Sequence, residues 1–454
     1  MRNFFIAAFT LLCLGASGQQ VAVRVGQPSG RKISDKLLGF NIVYCNSPDE
    51  VWATGKLQKE FKAMNVGMLR WPGGTVCTFF HWQNPTGVGW EDSWKPGYST
   101  PNAPASDFVG IDEYMAIVRA SGAEPLVGIN VNSGFIYDRV DDGIKEALAL
   151  MKYCKDKGFK VTYWYMGNEP YQHDCNGGAN TPEQYAEKIN AFAGPMRKFD
   201  PSIRLIANWR AGFDKEKDNY RKLFELAGKN IDVIDVHNYW AWGNTSWDLW
   251  KSKPMGVFTG TSYMEEIATF RKMAAEFGYP DAKLATLEWN VGPSGRTPSS
   301  RLNPAQAALG QSEMLMQFMM GGMDYATFWP LFWKGDSFRS YYDIKKQELQ
   351  PIADIFRVMG NFGGGQLLDC SGSGDKLMYM VLRDRAGATR ICALNKGDAP
   401  LDVSFSGLPS GKVAENFQFA LSGSGDALKE GKAAATGNLS VKLVPNSLTI
   451  LTIK

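Results

Sequence analysis

From residue 36 to residue 332 the chain repeats one unit: a short apolar run, then a longer stretch with apolar residues at helical spacing. The apolar runs are Leu37–Tyr44, Gly67–Trp71, Pro125–Val131, Val161–Met166, Leu205–Trp209, Val233–Tyr239, Lys283–Trp289 and Tyr325–Phe332. The helical stretches between them are Lys56–Met64, Asp112–Ser121, Asp142–Gly158, Pro182–Asp200, Lys217–Gly228, Ser262–Gly278 and Pro304–Gly321. Runs this apolar are covered on both faces, which requires parallel strands with helices packed outside them. Eight such units predict an α/β fold of the (β/α)8 TIM-barrel type. An open doubly wound sheet is the alternative, but no Gly-rich phosphate turn recommends it.

After Gly363-Gly364-Gly365 the rhythm changes to short alternating runs separated by Gly, Ser, Asp and Pro. These are Lys376–Leu382, Thr389–Leu394, Leu401–Phe405, Leu439–Leu443 and Ser447–Ile453. They predict a C-terminal antiparallel β-sandwich domain. Val21–Val25 also alternates, ahead of the barrel, and is expected to join that sandwich. The expected division is therefore 1–18 signal peptide, 19–30 N-terminal strand, 31–360 barrel and 361–454 sandwich.

The signal peptide is read from Arg2, the apolar run Phe4–Leu14 and the small residues Ala16-Ser17-Gly18. It predicts a secreted or periplasmic protein. No later run is long and apolar enough for a membrane span. Six cysteines remain after Cys13, and an exported chain could pair them or keep them as buried thiols. Cys370 with Cys392 is the first pair to test. No C-x-x-C occurs, so no zinc site is expected. Lys+Arg number 49 against 46 Asp+Glu, which gives no basic excess for a nucleic-acid partner.

In a barrel the polar residues at the C-terminal strand ends are the first candidates for chemistry. Here they are Arg70 in Arg-Trp-Pro-Gly-Gly74, Asn168-Glu169-Pro170, His237-Asn-Tyr239, Glu288-Trp289-Asn290 and Trp329-Pro330. Glu169 and Glu288 end the fourth and seventh strands, on opposite sides of the mouth. Two facing carboxyls suit glycoside hydrolysis, one giving a proton and the other attacking the anomeric carbon or activating water. An apolar setting raises the pKa of the acid, and a cation such as Arg70 keeps the other carboxyl ionised. The chain has only three histidines, too few at strand ends for a metal site or Ser-His chemistry. Trp82, Trp90, Trp94, Trp240, Trp242, Trp247, Trp250, Trp289 and Trp333 lie near strand ends, where indoles can stack on sugar rings. The segment Thr75–Asp107 is a long aperiodic loop on that face.

Asn168-Glu169 after strand four and Glu288 after strand seven resemble clan A of the retaining glycoside hydrolases. Leu69-Arg-Trp-Pro-Gly-Gly74, His237-x-Tyr239 and Glu288-Trp-Asn-Val291 are similar to the α-L-arabinofuranosidase group of that clan. The resemblance implies Glu169 as general acid/base and Glu288 as nucleophile. It implies that Asn168 binds the hydroxyl beside the anomeric carbon. It further implies that Arg70 and Tyr239 hydrogen-bond the nucleophile, with His237 and Trp289 near the substrate and Trp329 as a sugar platform. No cofactor is implied, and the partner is a polysaccharide or oligosaccharide. Thr75 stands where that group usually has Asn, and Pro170 follows Asn-Glu as in xylosidase-like and endo-acting members. Arabinofuranosidase, xylosidase and endo-polysaccharidase readings therefore stay open. A non-catalytic glycan-binding protein is the reading of another class. Oligomeric state is not legible.

Overall fold

Eight of the apolar runs become strands of a closed parallel barrel. In chain order they are β2 (Gly39–Asn41), β3 (Met68–Trp71), β4 (Glu124–Ile129), β5 (Tyr163–Met166), β6 (Arg204–Trp209), β7 (Val233–Trp240), β8 (Lys283–Val291) and β9 (Tyr325–Phe328). The first element, β1 (Gln19–Lys32), precedes the barrel. The computed structural model describes residues 19–83, 90, 108–173, 178–257, 260–294, 301–333, 337–425 and 434–454. The expected leader, Trp94, Cys175 and most of the Thr75–Asp107 loop lie outside them.

Each strand is followed by a helix on the barrel's outside, from Lys56–Ala63 after β2 to Ile352–Met359 after β9. Local chemistry sets their starts. Thr181, Ser262 and Asn303 cap three of them, each in a reciprocal box with a Glu or Gln three residues on. Pro182 and Pro304 occupy the first turn, where no amide partner is needed. Below the mouth the barrel is filled by Met68, Cys77, Leu126, Tyr165, Ile206 and Leu287. It is a packed core, so ligands can reach only its open end. Among the described residues no helix is long and apolar enough to cross a membrane.

The C-terminal sandwich is one continuous sheet that curls on itself. Its order runs Gly411–Ala420, Ser447–Ile453, Thr389–Asn395, Leu377–Arg383, Gln366–Ser371, β1, Leu401–Ser406, Asn438–Leu443. Neighbours are antiparallel except β1, which runs parallel to Leu401–Ser406 while pairing antiparallel with Gln366–Ser371. Val23, Val381, Ile391, Val403, Phe405, Val441 and Leu451 fill the inside of the curl. The suggested Cys370–Cys392 disulfide is corrected: both are free thiols. The strand Leu377–Arg383 runs between theirs, placing Met380 opposite Cys392. Two ladder steps span about 9–10 Å, beyond the reach of a disulfide.

The helix Pro304–Gly321 lies between barrel and sheet, which explains its composition. It is buried on every side from Ala307 to Met319, so it has no polar stripe. Phe318 faces the barrel and meets Trp289 edge to face. On the other side Glu313 and Lys396 form an ion pair at 3.4 Å, with exposures of 0% and 1%. Glu313 also accepts from Trp250 Nε1 and the Gly256 amide, both at 2.7 Å. Lys396 stands 4.6 Å from the centre of the Trp250 ring. The sheet is thereby tied to the segment that follows β7.

Removing one partner of a buried pair leaves an uncompensated charge. Lys396→Met should therefore cost about 3–5 kcal/mol in urea unfolding. The double variant Lys396→Met/Glu313→Gln should lose less than the single one, because no charge is stranded.

Candidate active site

Arg70 sits at the centre of the mouth and is fully buried. A guanidinium there is costly without partners; both terminal nitrogens have them, while Nε has none among the described residues. Nη1 donates to Glu288 Oε1 at 2.9 Å and to Asn41 Oδ1 at 3.1 Å, and Nη2 donates to Asn168 Oδ1 at 2.7 Å. The cation also lies 4.3 Å from the centre of the Tyr165 ring. The Pro72-Gly73-Gly74 turn that follows β3 has φ of 79° and 47° at its glycines. Gly73 thus turns its amide onto the Tyr165 hydroxyl at 3.1 Å.

Glu288 accepts a second bond, from the Tyr239 hydroxyl to Oε2 at 2.7 Å. Tyr239 and His237 stand two apart on β7 and so share the face that looks into the barrel. His237 Nδ1 is 2.9 Å from Glu169 Oε1 and 3.6 Å from Glu288 Oε2. Its Nε2 lies 3.2 Å from Asp235 Oδ2. Burial lowers the imidazole pKa, but Glu288, Asp235 and Glu169 raise it further, to about 10. The surrounding carboxylates thus favour the protonated ring, whose Nδ1 faces Glu169.

Glu169 has φ of 42°, a strained value for a side chain of its size. Its amide donates to Asn208 Oδ1 at 2.7 Å, and its carbonyl accepts from the Gln172 amide at 2.9 Å. The carboxylate accepts from the Tyr171 hydroxyl and Gln172 Nε2, each at 3.1 Å. Burial raises its pKa, but His237, then Tyr171 and Arg70, outweigh it and hold the carboxyl below its ordinary value. An apolar surround alone would lift this pKa, and the neighbouring His237 ring reverses that.

Glu169, Glu288, Arg70, Asn168, His237 and Tyr239 therefore converge. Trp329 ends β9 at the same mouth, 5% exposed, with its ring 6.3 Å from that of Trp333. Trp289 is corrected: it is fully buried on the outside of the barrel wall, against Phe318, Phe328 and Phe356. It follows Glu288, and alternation turns it away from the mouth. Trp240 and Trp250 are likewise core residues. Trp242 differs, with 59% of its surface exposed and its ring edge-on to Tyr239 at 4.8 Å.

Sequence reasoning missed Asn41, Asp235, Asn208 and Tyr171. Asp235 and Asn208 carried a signal: each is a polar residue inside an apolar barrel strand. Asp235 also shares the alternate face of His237 and Tyr239.

Comparison with known proteins gives a concordant result. A family model described as the alpha-L-arabinofuranosidase 1 domain matches residues 60–246, a stretch that holds Glu169 and stops short of Glu288. The chain is 27% identical over 170 residues to alpha-L-arabinofuranosidase C of Emericella nidulans, covering 33% of this chain and 31% of that protein. It is 27% identical over 190 residues to an intracellular exo-alpha-L-arabinofuranosidase of Bacteroides ovatus, covering 39% and 35%. The matched stretch thus spans about a third of each relative. The fold superposes on an alpha-L-arabinofuranosidase from Thermotoga maritima in complex with arabinose with a TM-score of 0.73 at 18% identity. That match covers 95% of this chain and 99% of the other. The likeness is to the arabinofuranosidase type of clan A glycoside hydrolase.

His237 also links the site to stability. A raised pKa means a contribution complete below pH 6.5 and lost as pH rises through about 10. The melting temperature should fall between those limits, and by less in His237→Gln, as followed by calorimetry across pH.

Proposed function

We propose that this chain is a retaining glycoside hydrolase that releases α-L-arabinofuranosyl residues by double displacement. One observation carries the reading: a single imidazole nitrogen contacts an oxygen of each glutamate, at 2.9 and 3.6 Å. Those two oxygens can therefore be no further apart than the lower end of the inverting range, roughly 6.5 Å, which favours a retaining pair. A retaining pair leaves no room for a water beneath the sugar, so the second carboxylate must attack.

Glu288 is the nucleophile. Arg70 and Tyr239 occupy one lone pair on each of its oxygens and fix the carboxylate plane. It attacks the anomeric carbon, an ester bond forms, and the glycosidic C–O bond breaks. The departing oxygen takes a proton from Glu169. In the free site that proton rests on His237, one bond away. Esterification removes the Glu288 charge, the strongest of the interactions holding the proton on the imidazole. The proton then passes to Glu169 as the leaving group needs it. In the second half Glu169 takes a proton from water, the water oxygen attacks the same carbon, and the ester breaks. Asn168 Nδ2 is buried and has no partner among the described residues, which suits a donor to the hydroxyl beside the anomeric carbon. Trp242 offers an exposed ring next to Tyr239 for a neighbouring sugar, and Trp329 flanks the same opening.

We also propose that residues 1–18 direct export and are removed after Gly18. Fractionation with N-terminal sequencing tests this, and a chain retained in the cytoplasm with Met1 intact overturns it.

Wild type should hydrolyse an aryl α-L-arabinofuranoside faster than an aryl β-xyloside, and a chelator should not change the rate. Glu288→Gln should abolish turnover and covalent labelling by a mechanism-based inhibitor. Glu169→Gln should lose about 10²–10⁴-fold on poor leaving groups and far less on dinitrophenyl glycosides. Trp242→Ala should raise KM roughly 2- to 10-fold for oligosaccharides but not for aryl glycosides. Release of long products from arabinan or xylan would favour endo action instead.

A further inference from the structure

Asp235 has no part in the steps above, yet its contacts lead to both catalytic carboxylates. It is 1% exposed. Its Oδ1 accepts from the Leu287 amide at 2.7 Å, and its Oδ2 accepts from Asn208 Nδ2 at 2.8 Å. Oδ2 is also 3.2 Å from His237 Nε2.

The first contact falls where β7 and β8 lose register. Asp235 pairs with Ala285, but His237 pairs with Glu288, so β8 holds one more residue than β7 across that step. This is a bulge, and a bulge re-aims the side chains that follow it. Leu287 belongs to the barrel's inner core, and Glu288, the next residue, also faces inward. Regular alternation would turn one of the two outward. Asp235 caps the Leu287 amide at this irregular step. Across the step, the Leu287 carbonyl accepts from Asn41 Nδ2 at 2.9 Å. The second contact orients Asn208, whose Oδ1 takes the amide of strained Glu169. The third sets a carboxylate 3.2 Å from His237 Nε2, a charge contact without hydrogen-bond geometry, on a ring that touches both glutamates.

We propose that Asp235 is a positioning residue for the reaction. It braces the bulge that aims Glu288, orients the Asn208 clamp on Glu169, and sets a negative charge against the His237 ring between them. The kinetic consequence rests on the glycosidase reading, while the consequence for His237 does not. His237 is faced by Asp235 and Tyr239 from β7, by Glu169 and Tyr171 beyond β5, by Glu288 from β8 and by Arg70 from β3. Removing one of three contacting carboxylates should therefore register on its ring without removing its charge.

Asp235→Asn keeps an oxygen for the Leu287 amide and loses the charge. The Cε1 proton of His237, one of three histidines in the chain, is followed by NMR across pH in wild type and variant. The His237 midpoint should fall by about one pH unit or more. In parallel, kcat on poor leaving groups should fall about 10²-fold and the basic limb of the pH profile should move down. Asn208→Ala should leave the His237 midpoint unchanged while lowering kcat on the same substrates. It tests the Glu169 arm even where Asp235→Asn does not fold. An unchanged midpoint with unchanged kcat in Asp235→Asn overturns the proposal. So does the failure of both variants to fold, which would assign the network to stability alone. A wild type inert towards glycosides would sink the glycosidase reading instead, and the NMR titration would still decide whether Asp235 contacts and orients His237.

Discussion

A guanidinium with no access to water is costly unless its charge is matched. Arg70 is such a group, and the mouth of the barrel is arranged around that requirement. Its four partners come from three strands: Asn41 from β2, Asn168 after β5, Glu288 from β8, and the Tyr165 ring from β5 beneath it. A slip of one residue in any of those strands would turn the partner away and leave the cation alone. The charge that restrains Glu288 therefore also helps to fix the register of the barrel.

The same region concentrates negative charge. Glu169, Glu288 and Asp235 lie around two cations, Arg70 and His237, inside one small volume. Within this set a single hydrogen bond joins His237 to Glu169, while Glu288 and Asp235 act on the same ring through charge at 3.6 and 3.2 Å. Burial would lift the Glu169 carboxyl, but the His237 ring beside it outweighs that and holds it below its ordinary value. In the mechanism we propose, the acid's proton is held on that imidazole until the nucleophile is neutralised.

The barrel was legible because its strands are continuous apolar runs and its helices begin at Thr181, Ser262 and Asn303 caps. The site was legible as far as polar residues lay at strand ends, which covers Arg70, Asn168, Glu169, His237, Tyr239 and Glu288. Asp235 and Asn208 lie one step deeper, where side chains are ordinarily core, and their role follows from a bulge that no periodicity announces. Trp289 failed for the complementary reason: being next to Glu288 in sequence puts it on the opposite face. The strand Gly411–Ala420 was invisible because Lys412, Glu415 and Asn416 break up its apolar residues. Glu313 carries no sequence signal in the interior of its helix, and only the burial of that helix on both sides shows why a carboxylate there needs Lys396.

The seat of β1 in the C-terminal sheet bears on how the molecule is made. Its neighbours are Gln366–Ser371 and Leu401–Ser406, and one bond between the two regions joins residues 335 positions apart. At about 5–20 residues per second a ribosome needs roughly 17–70 s to bridge that gap. Throughout that interval β1 is an alternating strand with both edges open, and the barrel between is complete before its flanking sheet can close. Contacts of such long range form slowly and late. The newborn chain therefore depends on whatever shields an unpaired edge strand, and truncation at the carboxyl terminus would be felt at the amino end.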